Sequence, residues 1–282
     1  MRAFLAPLAL VLIGLGAYAE AADSRLDRIS QTKTIKVAYR TDAAPFSSSK
    51  DNEPVGYTID ICKIVIASLE RRLNIQGLKT EWVQVTTQTR LDAIVNGSAD
   101  MECGATTVTL GRMKQVDFSS LVFVQSTGLI TKTTSGIKSA RDLIGKKVAV
   151  ISGTTNEQAI NAVNEKVQLK ITVLPVKDRS EGISALESGA VDAFAGDKIL
   201  LAAAQYQNAQ ELVMLPDDLS IEPYAIVLPQ GDWNFRIAVN AGLADMYRSG
   251  AIIPIYHKWL SSVGLEPGML LEALFLFGAL PE

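Results

Sequence analysis

The spacing of apolar positions along this chain changes repeatedly, and each change marks a switch between strand and helix. Thr34–Arg40 (TIKVAYR) reads as a β-branched strand ending in an arginine, preceded by a short polar helix over Asp23–Thr32. A turn-rich segment, Asp42–Pro54, leads through Gly56 and Tyr57 into a helix over Ile59–Leu73, whose Ile61, Val65, Leu69 and Leu73 recur every four residues and form one apolar face. A strand over Thr80–Val85, a helix over Arg90–Asn96 closed by Gly97, and a strand running into Cys103 follow. The alternation resumes with a helix near Ile137 and the strands Lys147–Ile151, Ile171–Pro175 and Val191–Ala195, with helices between them. Ser126–Lys132 and Glu222–Leu228 read as crossings out of and back into the first unit, which helices over Phe235–Arg248 and Ile253–Val263 complete. The apolar tail, Met269–Leu280, is too short to span a bilayer and is expected to cap that unit as a helix. Strands alternating with helices predict an α/β fold with a mostly parallel sheet in each half.

An internal echo points to two lobes. LDAIVNGSAD at Leu91–Asp100 is matched 92 positions later by ISALESGAVD at Ile183–Asp192. In each copy a helix is expected to end at a glycine suited to a left-handed cap, and an aspartate then enters a strand.

Composition narrows the class. At 282 residues, 48% hydrophobic and 20% charged, the chain can bury two modest cores. Arg2, an apolar run over Phe4–Leu15 and the small-x-small pattern Ala17-Tyr18-Ala19 predict a secretory signal peptide over residues 1–19, and therefore export. Gly14–Ala19 has the look of a dinucleotide fingerprint, but it lies inside that signal with no strand before it, so no cofactor is expected. A formal net charge of −3 argues against general affinity for nucleic acid or anionic lipid. The single histidine, His257, sits in an apolar segment, which leaves neither a zinc site nor a Ser-His-Asp triad. Cys62 and Cys103 allow a disulfide in an exported protein, or two buried thiols; the sequence leaves both open.

The candidate chemistry lies at predicted strand ends, where open α/β sheets bind ligands. Those ends carry Arg40, the Thr86–Arg90 turn with Thr87 and Arg90, the Thr107–Arg112 stretch, Ser152–Thr155, Arg179 and Asp197. The stretch Met101–Ser119 runs from a buried strand through small and hydroxyl residues, Ala105 and Thr107 among them, into one helical turn bearing Arg112. Free backbone N–H groups and a planar guanidinium there suit an anion. Taken singly, each arginine is more often a solvated surface residue; their shared position carries the reading. Several arginines, hydroxyls and one carboxylate fit a zwitterion with an additional negative charge.

Six ordered motifs carry a family resemblance: YRTDAAPF at Tyr39–Phe46, VGYTIDI at Val55–Ile61, TTQTRLDAIVNGSADMECGATT at Thr86–Thr107, GRMKQVDFS at Gly111–Ser119, DLIGKKVAVISGTTNE at Asp142–Glu157 and LESGAVDAF at Leu186–Phe194. Leu26–Val263 resembles the solute-binding proteins of polar amino-acid ABC importers (bacterial solute-binding protein family 3), most closely their periplasmic glutamate/aspartate-binding members. The resemblance implies a two-lobed type II periplasmic-binding-protein fold, with residues 23–130 and 226–282 in lobe 1, residues 131–225 in lobe 2, and two hinge strands between. By the same resemblance Arg112 with Thr107 would hold the ligand's α-carboxylate, helped by Thr154, and Asp197 its ammonium. Arg40, Thr87 and Arg90 would face a side-chain carboxylate. Ala105 stands where a serine is usual and Arg179 where a histidine is usual. The implied protein is a periplasmic monomer that is not an enzyme, needs no metal or cofactor, and delivers glutamate or aspartate, with their amides as further candidates, to an inner-membrane ABC permease. The alternative is an exported cyclohexadienyl dehydratase on the same fold, for which Glu157 and Glu181 are the available general acids.

Overall fold

The computed structural model describes residues 24–207, 210–261 and 266–281. The signal peptide expected over residues 1–19 and the expected helix end at Val263 lie outside them. The first elements are α1 (Arg25–Thr32), β1 (Thr34–Arg40), three short strands β2 (Asp42–Ala43), β3 (Ser47–Lys50) and β4 (Glu53–Val55), then α2 (Tyr57–Arg72), β5 (Lys79–Val85), α3 (Arg90–Val95), β6 (Met101–Glu102) and β7 (Val116–Lys132). There follow β8 (Lys147–Ile151), α4 (Thr155–Val167), β9 (Thr172–Val176), α5 (Arg179–Glu187), β10 (Ala193–Asp197), α6 (Lys198–Gln207) and β11 (Leu212–Met214). The chain closes with β12 (Ser220–Pro229), α7 (Trp233–Arg248), α8 (Ile252–Trp259) and α9 (Met269–Gly278).

One sheet runs through the molecule in the order β5-β1-β6-β12-β7-β10-β8-β9, with β11 on β7, while β2, β3 and β4 form a separate antiparallel sheet. The wing β5-β1-β6 is parallel, as is the wing β10-β8-β9, because helices connect their strands. Between the wings β7 and β12 pair antiparallel, with register shifts around Ala225. These two are the expected crossings, but they are longer than their sequence suggests. β7 extends back to Val116, since its upstream half is held in register by residues 223–229, a partner far away in sequence.

Two further expectations are corrected. The helix near Ile137 is only a 3-10 turn over Ala140–Leu143, where Ser139 and Asp142 form a reciprocal cap and the chain turns again at Gly145. β10 begins at Ala193, not Val191, because the Val191 N–H bonds the Ala185 carbonyl and finishes the preceding helix before the ladder starts.

The cores explain the lobes. Val37, Ile61, Val65 and Leu69 from the early part of the chain pack with Val239, Leu243 and Tyr256 from its late part. Leu129, Val148, Ile160 and Ala193 belong to a second core drawn from the middle. The tail forms α9 and caps the first lobe as expected, Phe275 stacking on Tyr247 with ring centroids 5.6 Å apart. Cys62 and Cys103 are bonded to each other, tying α2 to the segment after β6. Closing a loop with a sequence separation of 41 removes unfolded-state entropy worth about 3–4 kcal/mol.

Candidate functional site

The carboxyl ends of strands from both wings open on one small cavity between the lobes. Its lining comprises Arg40, Thr87, Arg90, Ala105, Thr107 and Arg112 on one side and Ile151, Thr154, Thr155, Asn156, Arg179, Asp197 and Leu200 on the other. All nine residues singled out from the sequence are brought together here. Local structure explains their aim: β1 ends at Arg40, α3 begins at Arg90, Thr154 caps α4, Arg179 opens α5 and β10 ends at Asp197.

Each side chain has its own partners. Arg40 is buried and makes a two-pronged pair with Asp42, both contacts at 2.9 Å; burial works to lower its pKa, but Asp42 together with the charges of Glu102 and Asp197 raises it on balance. Arg112 Nη1 donates to the Thr107 carbonyl at 2.7 Å, and Arg90 Nη1 donates to the Thr87 carbonyl. Arg179 Nη1 donates across the cleft to the Asp42 carbonyl. Burial, followed by repulsion from Arg40 and Arg112, pulls the Arg90 guanidinium down to about 9. Burial also lowers Arg112 and Arg179. Four guanidinium groups crowded into a poorly solvated space favour an anion that enters among them.

The Thr154 hydroxyl is already committed: it accepts from the Glu157 N–H at 3.2 Å and donates to the Ile151 carbonyl at 2.6 Å. What Thr154 offers the cavity is therefore the N-terminus of α4. Thr107 forms an antiparallel bridge with Tyr224 that uses the Thr106 carbonyl and the Val108 N–H. In that geometry the Thr107 N–H turns away from Tyr224. The Asp197 carboxylate accepts from Gln125 Nε2 at 2.6 Å, and burial together with the charge of Glu222 pushes its pKa up.

Sequence reasoning missed two buried acids. Glu102 is buried, and burial raises its pKa against the pull of Arg90 and of the neighbouring Thr106 hydroxyl. Its Oε1 would lie 2.0 Å from a Cβ at position 104, so a side chain there would push the Glu102 carboxylate aside. Glu222 receives hydroxyl hydrogen bonds from both sides of the cleft. An acidic residue inside an apolar strand was the available signal in both cases: MEC for Glu102 and EPYAIVL for Glu222. The acids considered for catalysis lie elsewhere. Glu157 accepts from the Gly153 N–H at 2.8 Å and Glu181 from the Lys177 N–H at 2.8 Å, each closing a helix start outside the cavity lining.

Two lobes on a crossed pair of strands, closed over a charged cleft, are the type II architecture of extracytoplasmic binding proteins. The model of the bacterial extracellular solute-binding proteins, family 3, matches residues 35–262, and the chain belongs to that family. It is 35% identical over 240 residues to an L-glutamate/L-aspartate-binding protein of Pseudomonas aeruginosa, covering 84% of this chain and 80% of that one. It is 33% identical over 249 residues to a glutamate/aspartate import solute-binding protein of Escherichia coli, covering 86% and 82%. Among solved structures it is similar to the ancestral amino acid-binding protein AncCDT-1, a precursor of cyclohexadienyl dehydratase, with a TM-score of 0.72, 30% identity, and coverage of 84% of this chain and 99% of that one.

Proposed function

We propose that this protein captures L-glutamate or L-aspartate in the interlobe cleft, with glutamine and asparagine as secondary ligands, and hands it to an ABC permease in the inner membrane. The observation that carries this reading is the convergence of four arginines and Asp197 on one small cavity. Arg112, the Thr107 N–H and the N-terminus of α4 would hold the α-carboxylate, and Asp197 the ammonium. Arg90, Arg40 and Thr87 would face the second carboxylate, with Arg179 adding positive potential from the opposite lobe. Ala105 contributes only a methyl group to the lining.

A ligand touching both walls stabilises the closed lobes by the contacts it gains only there. In this reading residues 23–130 and 226–282 move as one lobe and residues 131–225 as the other, in a periplasmic monomer freed of residues 1–19. Two features support binding without turnover. Glu157 and Glu181 are tied up as helix-start residues, and the structural relative named for its descent toward a dehydratase is itself an amino acid-binding protein.

Calorimetry on unfolded and refolded protein tests the reading, with L-glutamate, L-aspartate, L-glutamine, L-asparagine and prephenate as titrants. Stoichiometric heat from the two acidic amino acids, with a Kd of about 1 μM or tighter (about −8 kcal/mol), is expected. Silence from every amino acid, with heat or turnover from prephenate, would replace transport by catalysis.

A further inference from the structure

Behind the threonines that face each other across the cleft lies a carboxylate that does not itself line the cavity. Glu222, on β12, is 1% exposed. Its Oε2 accepts the Thr107 hydroxyl at 2.7 Å and the Thr155 hydroxyl at 2.6 Å, one from each lobe. Its Oε1 accepts from Ser220 at 2.5 Å; the Thr127 hydroxyl lies 3.0 Å from it and closer, at 2.5 Å, to Asn156 Oδ1. A hydroxyl has one proton to give and two lone pairs to offer. With both protons drawn back to Glu222, Thr107 and Thr155 present only lone pairs to the cavity they line, and the 3.4 Å between their oxygens carries no shared proton. Two such oxygens accept hydrogen bonds and repel a carboxylate. Asp197 lines the same cavity, and the charge of Glu222 works against its ionisation. A cation between them relieves that repulsion.

We infer that Glu222 is a positioning residue for ligand recognition: by fixing the protons of Thr107 and Thr155 it turns their oxygens into acceptors for a ligand's ammonium group. This rests on the amino-acid reading above and adds to it the residue that tells an amino acid from a plain dicarboxylate. Asp197 alone would attract a cation; Glu222 gives the ammonium two further directed acceptors.

The test compares L-glutamate with glutarate, which keeps both carboxylates and lacks the amino group. Calorimetry is run on the unaltered protein and on Glu222→Gln, Thr155→Val and Thr155→Ser, each checked for folding by its thermal melt. A glutamine amide has one donor end; in Glu222→Gln, with its NH2 in the place of Oε2, it donates to Thr107 and Thr155, and their protons turn toward the cavity. L-glutamate affinity is expected to fall about 10- to 100-fold, while glutarate affinity is unchanged or improves. Thr155→Val should shift the ratio the same way by about tenfold, and Thr155→Ser should restore it. Equal losses for both ligands in Glu222→Gln mean a merely structural role and overturn the assignment. If Glu222→Gln does not fold, Thr155→Val decides: an unchanged ratio overturns the assignment. Silence of the unaltered protein toward L-glutamate and L-aspartate overturns the amino-acid reading and the assignment with it. Normal binding by the unaltered protein leaves any loss in the variants attributable to Glu222 and its threonines alone.

Discussion

Residues 91–100 and 183–192 follow one plan and use it at different depths. In both, the chain leaves a helix through a left-handed glycine, Gly97 at φ 76° and Gly189 at φ 77°. In both, an aspartate N–H bonds a carbonyl of the neighbouring parallel strand: Asp100 to Lys36 and Asp192 to Lys147, each at 2.8 Å. The carboxylate then accepts that same lysine's backbone N–H, at 2.7 Å for Asp100 and 2.8 Å for Asp192. Each aspartate thus pins one strand to the next. The difference is burial. Asp100 is 1% exposed and also holds Arg25 and Arg28 of α1, whereas Asp192 is 36% exposed and has Lys146 at 3.7 Å. The first lobe has turned a register pin into an anchor for an added helix, and the disulfide lies in that lobe too. The second lobe keeps the bare pin. The plan also delivers opposite chemistry to the cleft, since the first copy leads on to Arg112 and the second to Asp197.

Substitutions sharpen this contrast in descending order. Arg112→Ala removes the first copy's cation and is expected to cost about 4 kcal/mol of binding, roughly a thousandfold in Kd, read by calorimetry with L-glutamate; a loss under tenfold would break the assignment. Replacing Cys62 and Cys103 with alanine should lower stability by about 3 kcal/mol in a denaturant titration, with hydrogen exchange rising in the first lobe more than in the second.

Asp197→Asn should weaken L-glutamate about a hundredfold, or roughly 2.7 kcal/mol, and it carries a pH signature. The folded pKa of Asp197 is raised, so its contribution to the stability of the unliganded fold is present below the ordinary carboxylate value and lost as pH rises through the raised value. Ligand affinity runs the other way and falls as pH drops through that raised value, because a neutral carboxyl holds an ammonium poorly. The ligand-induced rise in Tm should therefore shrink on acidification in the unaltered protein, at a pH above the ordinary carboxylate range, and respond less in Asp197→Asn. Asp100→Ala should cost about 2 kcal/mol of stability, since it strands a buried N–H. Asp192→Ala should cost about 0.5 kcal/mol, because water reaches its partners. Equal costs at the two positions would remove burial as the distinction.

Much of this is legible in the sequence alone. The two glycine-to-aspartate turns are readable because their constraints are local: a left-handed cap and a strand entry lie within ten residues. The cleft residues are readable because strand ends in parallel sheets share one side, so Arg40, Arg112 and Asp197 had to face the same space. What escapes depends on distant partners. The upstream half of β7 is a strand because of residues 223–229, and the state of Cys62 and Cys103 depends on how α2 packs. Glu102 and Glu222 are single acids in apolar strands, and their partners come from distant parts of the chain. The segment near Ile137 misleads for the opposite reason: its own Ser139–Asp142 cap starts a turn that extended Ile144 and left-handed Gly145 end before a helix can grow.

The position of β12 bears on how the molecule comes into being. It lies between β6 and β7 at the centre of the sheet, with Val227 paired to both Glu102 and Phe118, yet it follows every other strand in the chain. The N-terminal wing cannot be completed until the middle of the chain has been made and the backbone has returned. Before then β6 and β7 offer open edges to any neighbouring molecule. Such late, long-range closure slows assembly, and a polypeptide cut short before Ser220 should accumulate as self-associated material, not as a half-sized binder.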